Sequence, residues 1–169
     1  MTIVGRCMDA KALRTRALAL LALREHSPQE LQRKLLQAWQ RASQKSGQEV
    51  PEDAEQVVSE LAEQLSAQGL LSAERYVEGR LRTRAPRLGA RRLQAELAQQ
   101  GLKPEGEVWE SVQASESERA RALLVRRFGE GAPPDAKERA RRVRFLVSRG
   151  FDGGLAMSLT RSSALDALE

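Results

Sequence analysis

The chain has 169 residues, of which 41% are hydrophobic, 30% are charged and only 4% are aromatic. This composition excludes a disordered chain, and the abundance of strong helix formers predicts a protein that is almost entirely α-helical. The single cysteine, Cys7, excludes an internal disulfide. No apolar run approaches the roughly 20 residues of a membrane span, so we expect no membrane association and place the protein in the cytoplasm.

The positive charge of the chain lies in its second half. Residues 1–70 contain nine lysines and arginines against nine acids, whereas residues 71–169 contain nineteen against fourteen and carry the whole net charge of +5. The surplus is mostly arginine, whose planar guanidinium matches phosphate and carboxylate groups. A basic half indicates an acidic partner, although a solvated arginine-rich surface would have the same composition.

The first 70 residues predict a flexible leader followed by a repeat of three helices. The leader covers residues 1–10 and the repeat residues 11–70. Ser27 can cap a helix whose first residue is Pro28, and Glu30 completes a capping box. The predicted helices cover residues 12–25, residues 28 to 41, and residues 51–67, with a polar loop at 42–50.

Residues 71–114 and 115–162 predict two more three-helix repeats, followed by a frayed tail at 163–169. Capping boxes are expected at residues 115–118 and 135–138. The apolar periodicity also predicts inward-facing side chains in all three repeats. They include Leu35, Trp39, Val57, Leu61, Tyr76, Val77, Leu81, Leu93, Leu97, Leu124, Leu146 and Val147.

Two segments of the second and third repeats match each other. Residues 97–102 and 146–151 both begin with leucine and end with a glycine followed by an apolar residue. Their leucines are 49 residues apart, a spacing found in helical repeat proteins. We therefore predict an all-α fold of three tandem three-helix repeats, packed on one another in an elongated, curved array.

The sequence contains no recognisable catalytic or metal-binding pattern. His26 is the single histidine, and its place at a helix end predicts a capping or surface side chain. One histidine and one cysteine cannot form a His/Cys zinc cluster. No glycine-rich phosphate loop follows a strand, and the acids lie mainly at helix starts, where capping explains them. We expect no enzyme activity, no metal and no cofactor.

The arginines are the remaining candidates for function. Seven of them fall between residues 75 and 92, and residues 119–149 contain ten basic residues against three acids. In a curved array, arginines of two repeats can line one concave face suited to a polyanion, while others lay their stems over apolar seams. The predicted contact residues are Arg80, Arg84, Arg87, Arg91, Arg92, Arg142, Arg144 and Arg149.

Four short segments stand out when they are taken together and in order. They are residues 24–31 (REHSPQEL) with 34–35 (KL), 69–70 (GL) before 74–76 (ERY), 92–97 (RLQAEL) with 101–102 (GL), and 144–146 (RFL) with 149–151 (RGF). At these spacings they resemble the RecX family over about residues 12–160, although Ser72 and Ala73 stand where the family usually has acids. The resemblance implies nine helices in three tandem repeats and binding to the filament of the RecA recombinase. It also implies inhibition of the ATPase, strand exchange and coprotease activities of RecA, and in some members direct DNA binding.

The predicted function is therefore a monomeric, non-catalytic negative regulator that binds the RecA–DNA filament. Binding to single-stranded or double-stranded DNA alone is left open. Two alternatives remain at this point. In the first, the protein is a sequence-nonspecific architectural protein whose arginines contact DNA phosphates, with affinity that falls steeply with salt. In the second, it is a helical adaptor for another protein, and its arginines are mostly structural.

Overall fold

The computed structural model describes residues 8–161, and these residues contain nine α-helices, one short 3-10 helix and no strand. The prediction of an all-α fold with tandem three-helix repeats is confirmed. The helices are α1 (Ala10–Leu23), α2 (Pro28–Ser46), α3 (Ala54–Ala67), α4 (Ala73–Arg84), the 3-10 helix η1 (Ala85–Arg87), α5 (Ala90–Ala98), α6 (Gly106–Ala114), α7 (Glu116–Phe128), α8 (Ala136–Ser148) and α9 (Gly153–Leu159).

Parts of the predicted leader and tail lie outside the described residues. These parts are residues 1–7 of the leader and the whole of 163–169. None of the described helices has both the length and the apolarity needed to cross a membrane. The chain divides into two compact units between Tyr76 and Val77, which are described in turn.

The core of the first unit lies between α1, α2 and α3. Leu31, Leu35 and Trp39 of α2 are almost completely buried, as their helical spacing predicts. Helix α2 continues to Ser46, so the loop predicted at residues 42–50 is wrong over its first half. Ser43 is also buried and continues the stripe one turn beyond Trp39, although its polarity hides this in the sequence.

Helix α3 turns a different residue to the core from the one predicted. Val58 is fully buried, whereas the predicted Val57 is only partly buried and packs at the edge. The helix begins at Ala54 rather than Pro51, and its buried stripe runs through Ala54, Val58 and Leu61. The prediction was wrong because two neighbouring valines fit the apolar period almost equally well.

The turn between α1 and α2 buries a polar cluster. The Ser27 hydroxyl caps α2 by accepting a 2.9 Å hydrogen bond from the Glu30 amide, as predicted. His26 is only 1% exposed, so of its two predicted roles, capping or surface, the surface role is wrong. Its Nδ1 lies 2.9 Å from the Arg24 carbonyl oxygen and its Nε2 lies 3.0 Å from Lys34 Nζ. These partners fit a neutral imidazole that donates from Nδ1 and accepts at Nε2.

In the second unit, α7, α8 and α9 surround a core that contains Leu124, Leu146 and Phe151. The burial of Leu93, Leu97, Leu124 and Leu146 confirms the predicted stripes. Val147 is 45% exposed, so its predicted inward direction is wrong. Helix α8 buries only one face. Leu146 lies on that face, so the next residue, Val147, points away from the core.

The two predicted capping boxes of this unit have different outcomes. Asp135 accepts a 2.7 Å hydrogen bond from the Glu138 amide at the start of α8, as predicted. The box predicted at residues 115–118 is wrong. The Ser115 hydroxyl makes no cap bond and instead donates to the Ser111 carbonyl oxygen at 2.8 Å, because α6 runs almost directly into α7.

A close backbone contact joins the start of α5 to the end of α8. The Gly89 amide donates to the Arg149 carbonyl oxygen at 2.9 Å, and the Arg91 amide donates to the Gly150 carbonyl oxygen at 3.2 Å. A Cβ atom on Gly89 would overlap the backbone of Gly150 and Phe151. Gly150 has φ +84°, a conformation that favours glycine. This contact fixes η1 and α5 against α8.

Candidate functional site

Several exposed arginines of the second unit are held by carboxylates of the same unit. Arg84 donates to Glu96 at 2.8 Å, and Arg92 Nε lies 3.6 Å from the same carboxylate. Arg91 donates to Asp152 at 2.5 Å, so it ties α5 to the start of α9. The Arg84 hydrogen bond lowers the pKa of the Glu96 carboxyl. Two carboxylates therefore already pair with these three arginines within the protein.

The sequence predicts Arg142 as an exposed contact residue, but the structure buries this side chain. It is 9% exposed, and its Nη1 donates to the Gly131 carbonyl oxygen at 2.7 Å. Its guanidinium carbon lies 5.3 Å from the centroid of the Phe128 ring, and its Nε lies 3.7 Å from Glu138. These contacts hold the turn between α7 and α8, which is a structural role.

Four other arginines surround a concave site, which we call the arginine pocket. Its volume is 580 Å³, within the range of ligand-binding pockets. No acidic residue of the described chain lines it. The lining residues are Arg87, Leu123, Arg126, Arg127, Phe145 and Arg149.

The arginine pocket arises from helical spacing on two packed helices. Leu123, Arg126 and Arg127 are three and four residues apart on α7 and therefore share one face. Phe145 and Arg149 are one turn apart at the end of α8. The Arg149 guanidinium carbon lies 3.8 Å from the centroid of the Phe145 ring, a cation–π contact. The two faces meet because α7 packs on α8.

Arg87 reaches the pocket from η1, and Arg119 of α7 holds that segment in place. The Arg119 guanidinium donates to the carbonyl oxygens of Ala85, Leu88 and Val112, the last two at 2.7 Å. Burial lowers the pKa of Arg119, which nevertheless stays charged because guanidinium is a very weak acid.

The Glu116 carboxylate fixes the other end of the same segment. It accepts a 2.8 Å hydrogen bond from the Ala90 amide at the start of α5. A carboxylate at a helix N-terminus satisfies a free amide and complements the helix dipole. The segment that carries Arg87 is therefore anchored to α7 at both ends.

The structure brings only some of the predicted contact residues together. Arg87 and Arg149 line the arginine pocket. Arg80 and Arg144 are exposed on α4 and α8 but do not line it. The predicted contact residues do not include Arg126 and Arg127, although their spacing from Leu123 along one helical face is visible in the sequence.

The described residues contain no group of three or more histidine, cysteine or acidic side chains that could hold a metal ion. The residues that line the arginine pocket can form charge pairs and bidentate hydrogen bonds through their guanidinium groups, next to two apolar side chains. Guanidinium groups of this kind pair with anions.

Comparisons with known proteins identify relatives over nearly the whole chain. A family model described as "RecX, third three-helix domain" matches residues 115–159. A protein named "Regulatory protein RecX" from Leptothrix cholodnii is 39% identical over 152 residues, which is 89% of this chain and 88% of the relative. Proteins of the same name from Ralstonia nicotianae and Pseudomonas putida are 38% and 33% identical over 159 residues, with at least 90% of each chain covered.

Proposed function

This chain belongs to the RecX family of regulatory proteins, and from this premise we propose that it is a negative regulator of the RecA recombinase. It acts as a monomer, binds the RecA–DNA filament and inhibits the ATPase, strand exchange and coprotease activities of RecA. The proposal extends the name of the relatives to a defined partner and a direction of effect.

The observation that carries the proposal is the arginine pocket within the second unit. The pocket is formed mainly by α7 and α8, which lie inside the range matched by the third RecX domain. Because no acid of the described chain lines it, its arginines can attract an external anion. A nucleoprotein filament presents both DNA phosphates and protein carboxylates.

Inhibition by such a protein is a binding effect rather than a chemical one. A regulator that binds one conformation of the filament more tightly than another shifts the filament towards the first conformation, by the difference between the two affinities. Occupied filament subunits then lose the rearrangements needed for hydrolysis and strand exchange. The exposed Arg144 on α8 adds to the basic surface beside the pocket.

The test is ATP hydrolysis by RecA on single-stranded DNA with increasing amounts of the protein, while binding is measured by co-sedimentation. We expect inhibition that follows occupancy. The double substitution Arg87→Gln with Arg126→Gln should weaken both binding and inhibition. Arg121→Gln, which removes an exposed arginine of the same helix outside the pocket, is the control and should change neither. Full occupancy without any inhibition would refute the negative regulation.

Direct DNA binding is the second candidate function, because guanidinium groups pair with phosphates as well as with carboxylates. It predicts measurable affinity for bare DNA that falls steeply with salt and needs no RecA. Affinities for bare DNA, for RecA alone and for the assembled filament, each at low and high salt, separate the two functions. A filament regulator binds the filament far more tightly than bare DNA.

A further inference from the structure

The arginine pocket combines cationic side chains with an apolar base. Leu123 and Phe145 line the pocket together with its arginines, and both are partly buried side chains that pack against the core of the second unit. A bare phosphate would use the arginines and leave these two apolar side chains in water. A ligand that carries one apolar group between negative charges satisfies both parts, since burying apolar surface adds to the charge pairing.

The state of the Phe145 ring disfavours a nucleobase as that apolar group. Arg149 already lies 3.8 Å from the ring centroid and donates to the Phe145 carbonyl oxygen at 3.3 Å. The Phe128 ring meets Phe145 at 5.2 Å and 82°, an edge contact. A base needs an open ring face for stacking, and on one face it would have to displace Arg149. An aliphatic side chain needs only lateral contact with Leu123 and Phe145.

The placement of the arginines favours a short segment with charges on both sides of its apolar residue. Arg87 approaches from η1, Arg126 and Arg127 from α7, and Arg149 from the end of α8. The volume of 580 Å³ accommodates one large side chain with its neighbouring backbone. Carboxylates before and after that side chain then each find a guanidinium.

We propose that the arginine pocket binds an acidic peptide segment of a protein partner, with one aliphatic side chain on Leu123 and Phe145 and the flanking carboxylates on the arginines. The inference deepens the proposed function and rests on it, because the segment belongs to the protein component of the filament. It makes protein carboxylates, rather than DNA phosphates, the ligand of this pocket.

The test uses a fluorescein-labelled peptide of glutamates with one central leucine, and a matched peptide with alanine in place of the leucine. Fluorescence anisotropy with the full chain measures both affinities, and unlabelled oligothymidylate is the competitor. We expect the leucine peptide to bind several-fold more tightly than the alanine peptide. Arg126→Gln and Arg127→Gln should each weaken it roughly tenfold, the usual effect of one charge-assisted hydrogen bond. Arg121→Gln should leave it unchanged.

Three results would overturn the inference. Equal affinities for the leucine and alanine peptides would show that the apolar base is not used. An equal loss in Arg121→Gln would indicate general charge attraction rather than a pocket. Tighter binding of oligothymidylate, lost in Arg126→Gln, would make the pocket a phosphate site. Circular dichroism of each variant verifies that the helices are intact.

The same proteins separate this inference from the proposed function. If the chain binds the RecA filament but not the leucine peptide, the pocket inference fails and the regulatory function stands. If the leucine peptide binds as expected and the filament does not, the pocket inference survives and the proposed partner is wrong.

Discussion

Replacing Glu30 with glutamine should destabilise the first unit strongly at neutral pH and progressively less in acid. Glu30 is 8% exposed and accepts hydrogen bonds from Arg24 at 2.5 Å and 3.1 Å, while Lys34 Nζ lies 3.1 Å away. Burial by itself raises the pKa of the Glu30 carboxyl, but the hydrogen bonds from Arg24 and Lys34 outweigh it and hold the pKa at about 2 instead of 4.5.

The size of the effect follows from the two pKa values of Glu30. Because the pKa is lower in the folded state, the stabilisation is complete above the unfolded value of 4.5 and is lost as the pH falls through about 2. The difference corresponds to about 3 kcal/mol at neutral pH. Near pH 3 only about 1 kcal/mol of this stabilisation remains, because pH 3 lies closer to the folded-state pKa of about 2 than to the unfolded value of 4.5.

The assay is urea unfolding followed by tryptophan fluorescence in a Trp109→Phe background. Trp39 is then the only tryptophan, and it is buried in the first unit. The free energy of unfolding of Glu30→Gln is subtracted from that of the parent at each pH, so the contributions of the other acidic groups cancel. Glu63→Gln, an exposed glutamate of α3, is the control and should change stability by less than about 0.5 kcal/mol. A difference for Glu30→Gln that does not vary between neutral and acidic pH would refute the reasoning.

Three further predictions concern stability. Gly89→Ala should destabilise the second unit by about 3 kcal/mol, because the added Cβ would overlap backbone atoms. Gly79→Ala lies in open space on α4 and should stabilise the protein slightly. Thermal unfolding of the two variants and the parent measures both effects. Arg119→Lys should cost about 2 kcal/mol in urea unfolding, because an ammonium cannot reach all the carbonyl oxygens that the guanidinium binds. Burial lowers the pKa of His26, so stability should fall as the pH drops below about 6.5, and His26→Gln should remove that part of the pH dependence.

Local signals predicted the helices and two of their starts. Ser27 and Asp135 cap helices as expected, because a cap depends on residues only three positions apart. The end of α2 was predicted too early, since the buried position after Trp39 is a serine. The burial of His26 was not predicted because it depends on contacts with Arg24 and Lys34, which no apolar period reveals.

The candidate site was harder to predict than the fold because arginines are sorted by partners distant in sequence. Arg91 pairs with Asp152, which is 61 residues away, and Arg84 pairs with Glu96 across a turn. A count of charged residues cannot distinguish these paired arginines from Arg126, which lines a pocket without acids of the described chain. Arg142 was predicted on the surface because its partner, the Gly131 carbonyl oxygen, lies in a turn with no sequence signal for contact.

Some residues of the segments that resemble the RecX family make contacts that hold the fold. Glu30 holds the turn between α1 and α2, and Gly150 accepts the close approach of Arg92 in the second unit. Arg126, by contrast, lies in none of those segments but lines the arginine pocket. Changes within the family segments should therefore affect folding first, and changes in the pocket should affect binding with the helices intact. Arg149 belongs to both groups, since it precedes the glycine contact and stacks on Phe145. Its substitution alone cannot separate folding from recognition, which makes Arg126 the sharper probe of function.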